Sequence, residues 1–133
     1  MKLGVNTLIW GAAFGPSDFH LLPRIKEAGF DVVEIPIFDP ASFDAVAVGR
    51  EFDRLGFERT AVTIIPQGLS LGSSDAAVRG RARAHMEACI TACGEAGISM
   101  LSGPMYTPVG YLPGTRRSRS EEHTSELQSR FGI

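Results

Sequence analysis

Ala28-Gly29-Phe30-Asp31-Val32-Val33-Glu34-Ile35-Pro36-Ile37 decides the fold of this chain. Its first two residues end a helical pattern, because a glycine turns left-handed without a Cβ clash. Asp31–Ile37 then reads as a strand, rich in β-branched side chains and bounded by turn residues. The run is nearly continuous in apolar residues, which suits a strand covered on both faces. A helix that stops at glycine and passes into such a strand within two or three residues is the joint of a parallel βαβ unit.

The same joint recurs on either side. Upstream, Leu3-Gly4-Val5-Asn6-Thr7-Leu8-Ile9-Trp10 reads as a first strand ending at Gly11. Ser17 or Asp18 is predicted to cap a helix whose apolar positions are Leu21, Leu22, Ile25 and Ala28. Downstream, Ser42 is predicted to cap a second helix, with Phe43, Val46, Ala47, Phe52 and Leu55 as its apolar face and Gly56 as its stop. Thr60–Ile65 is a third strand. Ser73 or Ser74 opens a third helix lined by Val78, Ala82, Met86, Cys89, Ile90 and Cys93, which Gly97 ends. Ile98–Gly103 is a fourth strand. The order βαβαβαβ predicts an α/β fold with a parallel sheet. Two architectures fit, a doubly wound sheet and a (β/α)8 barrel. No G-x-G-x-x-G or Walker motif follows the first strand, so the nucleotide-binding sheet loses its best support. In both architectures function sits at the carboxyl ends of the strands. Those ends are Asn6 to Trp10, Glu34 to Phe38, Ile65 to Gln67 and Ser102 to Tyr106.

Composition narrows the function classes. The chain has 133 residues, suited to one domain, and a formal net charge of -2, which argues against a nucleic-acid coat or a polybasic membrane patch. No apolar run approaches a membrane span. Met1–Asn6 lacks the apolar stretch of a signal peptide, so a cytoplasmic location is expected. The 2 cysteines lie four apart in a helical pattern and cannot form a disulfide framework. After Pro113–Arg117 the composition breaks. Arg119 to Ser129 holds one aliphatic residue and no apolar face at either period. This run resembles the conceptual translation of a sequencing adapter. Residues 1–118 are therefore read as the functional part and 119–133 as a spurious or disordered tail.

Four stretches carry a family resemblance: Gly4–Trp10, Ala28–Ile35, Leu55-Gly56-Phe57 and Gly103-Pro104-Met105-Tyr106. In order and spacing they resemble the sugar phosphate isomerase/epimerase family with its xylose isomerase-like barrel, and within it the ketose 3-epimerases of tagatose and psicose type. The resemblance covers residues 2–117. It implies a whole barrel of eight βα units, on the order of 250 residues, of which this chain supplies about half, the N-terminal (βα)4 part. It also implies a divalent metal (Mn2+, Mg2+ or Co2+) held by Glu, Asp, His and Glu from strands five to eight. The two glutamates would move protons beside a carbonyl through an enediolate. The whole enzyme is expected to form a homo-oligomer. None of those ligands lies in this chain, so no catalytic or metal-binding residue is assigned. The fragment alone is expected to be inactive and to bind no metal.

Four residues are candidate contacts for a small sugar. Glu34 ends the second strand, where a carboxylate needs a partner; it either binds a substrate hydroxyl or pairs with a structural cation. Trp10 can form an apolar wall or a core aromatic. Asn6 can hydrogen-bond in the mouth or sit satisfied in the barrel wall. Tyr106 follows Gly103-Pro104 on a loop that can cover substrate, or is a plain surface aromatic. His20 and His85 fall in predicted helices and are expected on the outer surface. A metal-dependent DNA-repair endonuclease of the same barrel superfamily would need several histidines and acids at strand ends, and none of the first four strands ends in histidine. A self-associating, noncatalytic half-barrel is the other alternative.

Overall fold

A computed structural model describes residues 1–111. Four strands, β1 Gly4–Asn6, β2 Val32–Pro36, β3 Glu58–Val62 and β4 Leu101–Ser102, form one sheet in the order β1-β2-β3-β4. Every neighbouring pair is parallel. Helices α1 Leu22–Glu27, α2 Ala45–Leu55 and α3 Ala76–Glu95 connect them. This is a run of βα units in sequential order, about half of a (β/α)8 barrel. The tail read as spurious, and the end of the 1–118 part, lie outside the described residues.

Strand alternation sorts the side chains. Val33, Ile35 and Ile37 are buried against the helices, and Ala61 of β3 and Thr63 just after it continue that layer. Leu22 and Ile25 of α1, Val48 and Phe52 of α2, and Cys89 and Cys93 of α3 close it from the other side. Phe52 is the hub, with Phe14 edge-on at 5.8 Å and Phe57 at 6.0 Å between ring centroids. Burying each such large side chain contributes about 1.5–3 kcal/mol. The opposite face of the sheet carries Asn6, Val32, Glu34, Thr60, Val62 and Ser102, all only partly buried. That face is the inner one of the barrel arc.

Pro36 in a central strand looks misplaced, since it cannot donate to a ladder. The neighbouring bonds explain it. Val32 N donates toward β1, to Leu3 O, whereas Ile37 N donates toward β3, to Val62 O. By alternation an N–H at residue 36 would point toward β1. The β1 ladder ends at Asn6 opposite Glu34, so no bond is lost.

Several boundaries differ from the sequence expectation. The first strand ends at Asn6 and not at Trp10, because Asn6 Oδ1 accepts from Leu8 N and turns Thr7–Ile9 into a short 3-10 helix. The first helix begins as a 3-10 segment, Pro16–Leu21, with Asp18 reaching back to Gly15 N. Asp44 and Asp75, not the serines, cap α2 and α3, accepting from Ala47 N and Ala77 N. β3 starts at Glu58 because its register with Val32 of β2 begins there. On α2 the buried valine is Val48, while Val46 is exposed. On α3 the buried line is Ala82, Cys89, Ala92 and Cys93, continued by Ala96 at its C-cap, and Ile90 faces outward at 59% exposure. One position is about 100° around a helix, enough to leave the interface. Small residues rule this contact: a Cβ on Gly49 would sit 3.2 Å from Ala96 O.

Candidate functional site

Parallel pairing puts Asn6, Glu34 and Thr60 side by side across three strands. Asn6 Nδ2 donates to Glu34 Oε1 at 2.6 Å. Thr60 Oγ1 donates to the other carboxylate oxygen at 3.3 Å. Thr7 Oγ1 donates to the Glu34 carbonyl at 3.3 Å. The carboxylate therefore rests on neutral donors at the inner face. Among the described residues its salt-bridge partners are absent: the acidic members of the ion pairs are Glu58, Glu51, Asp53 and Glu87. A carboxylate has about four acceptor sites, and these contacts leave lone pairs for a further donor.

The other candidates stand around this cluster at different removes. Trp10 closes the turn that Asn6 caps, its N donating to Thr7 O at 2.9 Å, and the residue is 49% exposed. Tyr106 lies beyond β4 and is 68% exposed. Its carbonyl accepts from Leu71 N at 2.8 Å and from Ser70 Oγ at 3.3 Å, so the loops after β3 and β4 are tied together. Asn6 and Glu34 are in direct contact and Trp10 follows on the same turn, whereas Tyr106 joins the β3–β4 side of the arc. Thr60 was missed by sequence reading. Its signal was parity: it stands opposite Glu34 once the strands are set in parallel register.

Neither cysteine is set up as a nucleophile. Cys89 and Cys93 are buried free thiols. Burial pushes both thiols up, with Thr63 partly offsetting this at Cys89 and the Cys89 charge adding to it at Cys93. A protonated, covered thiol is a poor nucleophile. His85 is not a plain surface residue as expected; it is half-buried, with Nε2 3.6 Å from Cys89 Sγ. His20 is exposed, its Nδ1 2.9 Å from Ser17 O. Among the described residues, no group of three or more His, Cys, Asp or Glu is placed to hold a metal ion. The divalent ion implied by the resemblance therefore finds no donor set in them. No described helix is long and apolar enough to cross a membrane.

Known proteins with the same pattern were found by sequence and by structure. A family model described as xylose isomerase-like TIM barrel matches residues 22–131. A probable ketose 3-epimerase of Synechocystis sp. is 34% identical over 121 residues, covering 91% of this chain and 42% of that protein. A ketose 3-epimerase of Arthrobacter globiformis is 27% identical over 108 residues, covering 80% of the chain and 37% of its own length. The chain thus spans less than half the length of these curated relatives. Among solved structures, a D-allulose 3-epimerase from Methylomonas sp., in complex with D-allulose, superposes with a TM-score of 0.79 at 20% identity. That match covers 97% of this chain and 45% of the other. An L-ribulose 3-epimerase gives a TM-score of 0.77 at 24% identity, covering 91% and 41%. At these identities the superpositions establish the barrel fold alone.

Proposed function

The chain belongs to the xylose isomerase-like TIM barrel family, and from that premise we propose that it is part of an enzyme that epimerises or isomerises ketoses. The observation that carries this reading is the similarity to a probable ketose 3-epimerase across 91% of the chain. In such a reaction a carboxylate removes the proton beside the carbonyl, an enediolate forms, and a second acid on the opposite face delivers a solvent-exchangeable proton.

The described residues suit the binding part of that task. Glu34 accepts a sugar hydroxyl at the inner face, beside Asn6 and Thr60. Trp10 offers an apolar surface to the carbon chain, and its N–H can meet a hydroxyl. Tyr106 sits on a loop braced by Ser70 and Leu71 and covers the far side of the mouth. The groups that move the proton, and any divalent cation, lie outside the described residues in this reading, so no step is assigned to a metal. By itself the 133-residue chain binds no catalytic metal and is inactive. The whole protein is a cytoplasmic homo-oligomer in the same reading.

The test is isotope exchange. The complete protein is incubated with a panel of ketoses in D2O, and proton NMR follows the sugar. Deuterium entering at C3 together with the C3 epimer is expected. Deuterium at C1 with aldose formation would move the assignment to an aldose–ketose isomerase. No exchange on any ketose would overturn the reading.

A further inference from the structure

Asn6 makes two bonds that lead in different directions. Through Nδ2 it holds the Glu34 carboxylate at 2.6 Å. Through Oδ1 it holds Leu8 N at 2.8 Å and starts the turn Thr7–Ile9. That turn closes on Trp10, and Thr7 ties it a second time to β2 through the Glu34 carbonyl. Glu34 and the Trp10 turn are thus joined by the Asn6 amide, with the Thr7 bond as a second tie.

The chemistry of the pair admits one arrangement. An ionised carboxylate only accepts, and the Leu8 N–H only donates. An amide satisfies both at once, with its nitrogen toward Glu34 and its oxygen toward Leu8. An acid at position 6 would still cap the turn, since Asp and Asn are both good cap residues. It would also set two negative charges at hydrogen-bond distance. Like charges at that separation repel, or share a proton.

We propose that Asn6 is a positioning residue: it fixes the Glu34 carboxylate and the Trp10 turn in one relation, so that the hydroxyl-binding and the carbon-binding walls of the mouth are set together. Its consequence for sugar binding rests on the reading above, whereas the linkage itself does not. Asn6 accordingly acts through Glu34 and Trp10.

The experiment uses the 133-residue chain without sugar, in which Trp10 is the only tryptophan. Acrylamide quenching of its fluorescence is measured at about pH 8, where carboxylates are ionised, in wild type, Asn6→Asp, Glu34→Gln and the double variant. Repulsion in Asn6→Asp frees the turn and roughly doubles the quenching constant. Adding Glu34→Gln reverses the roles of donor and acceptor, and quenching returns to the wild-type value. A merely structural loss at position 6 would not be rescued from position 34. Quenching unchanged in a folded Asn6→Asp variant, or raised equally in the double variant, would overturn the proposal. If Asn6→Asp alone does not fold by circular dichroism, recovery of folding in the double variant is the same rescue, and its failure to fold overturns the linkage. A complete wild-type protein that turns over no ketose would sink the functional reading and leave this measurement standing.

Discussion

Gly103 lies so close to the Thr63 carbonyl that a Cβ on it would fall inside the contact radius of that oxygen. Gly103 also has φ +124°, a conformation that side chains rarely adopt. Thr63 cannot yield easily: it is buried, and its Oγ1 donates to Ile37 O at 2.7 Å. The carboxyl ends of β2, β3 and β4 are therefore locked together through one threonine, with room for glycine alone beside it.

Gly103→Ala should lower unfolding stability by about 3 kcal/mol or more, since strain and overlap act together. Gly110→Ala is the control. Gly110 has φ +79° but open space around it, so only the left-handed cost of about 1–2 kcal/mol applies. Urea unfolding followed by circular dichroism measures both. Equal midpoints for the two variants would show that the Thr63 contact is not limiting.

Arg59 clamps the opposite end of the sheet. Its Nε donates to Gly97 O at 3.2 Å and its Nη1 to Asp53 at 2.6 Å, with the side chain 12% exposed. Lysine lacks the planar fork and cannot make both bonds in this geometry. Arg59→Lys should cost about 1.5–3 kcal/mol, because a largely covered guanidinium loses its charge-assisted bond to the Gly97 carbonyl. Asp53 is 70% exposed, so Asp53→Asn should cost under about 1 kcal/mol. The same urea experiment ranks them, and the reverse order would refute the clamp.

The two thiols should resist modification in the folded chain. Burial raises both above the ordinary thiol value of 9.0. A thiol raised by folding binds its proton more tightly in the native state, so its stabilisation is complete below that ordinary value. It is lost as pH climbs from about 9 through the higher native value. A thiol-reactive dye at neutral pH should label both cysteines only at the rate of unfolding, and denaturation midpoints should fall above about pH 9. Two equivalents labelled within mixing time, in native protein, would contradict this.

If the complete protein turns over ketoses as proposed, Trp10→Ala should raise KM and leave kcat within a few-fold, provided the indole holds ground state and transition state alike. Removing such packing costs roughly 1–3 kcal/mol, or about 5- to 150-fold in affinity. Steady-state kinetics on a ketose panel, with folding checked by circular dichroism, decides it. An unchanged KM on every active sugar would reduce Trp10 to scaffold.

The 133-residue chain alone should self-associate and catalyse nothing. Among the described residues, β1 and β4 are edge strands, and Ile9 and Met100 are exposed at 70% and 61%. Open edges and apolar surface favour pairing with another chain. Light scattering after gel filtration should report dimers or larger species. A monodisperse monomer, or ketose turnover by this chain, would contradict the expectation.

The repeating joint of glycine, short link and apolar strand was legible in the residues alone, because it depends on local chemistry. Glycines at 29, 56 and 97 do take positive φ and end their helices. The parallel sheet follows from the joint, since a helix between two strands returns the chain in the same direction. Asn6 and Trp10 could be picked out as polar or aromatic residues after an apolar strand, and Glu34 as a carboxylate inside an apolar run, although the structure sets it at the middle of β2 and not at its end.

Other features were decided only in three dimensions. Asn6 could have continued the strand or capped a turn; the turn won because Asn6 reaches Leu8 N and Glu34 at once, and Glu34 is 28 residues away. Ile90 matched the helical period as well as Cys89 did, yet only Cys89 meets the sheet, at Ile37 and Thr63. Thr60 had no local mark at all, and pairing with β2 placed it beside the carboxylate. Sequence by itself determined which elements form and how the chain runs between them, because caps, stops and apolar period act over a few residues. Tertiary structure decided which side chains share the mouth, because register and helix rotation are set by contacts between residues far apart in the chain.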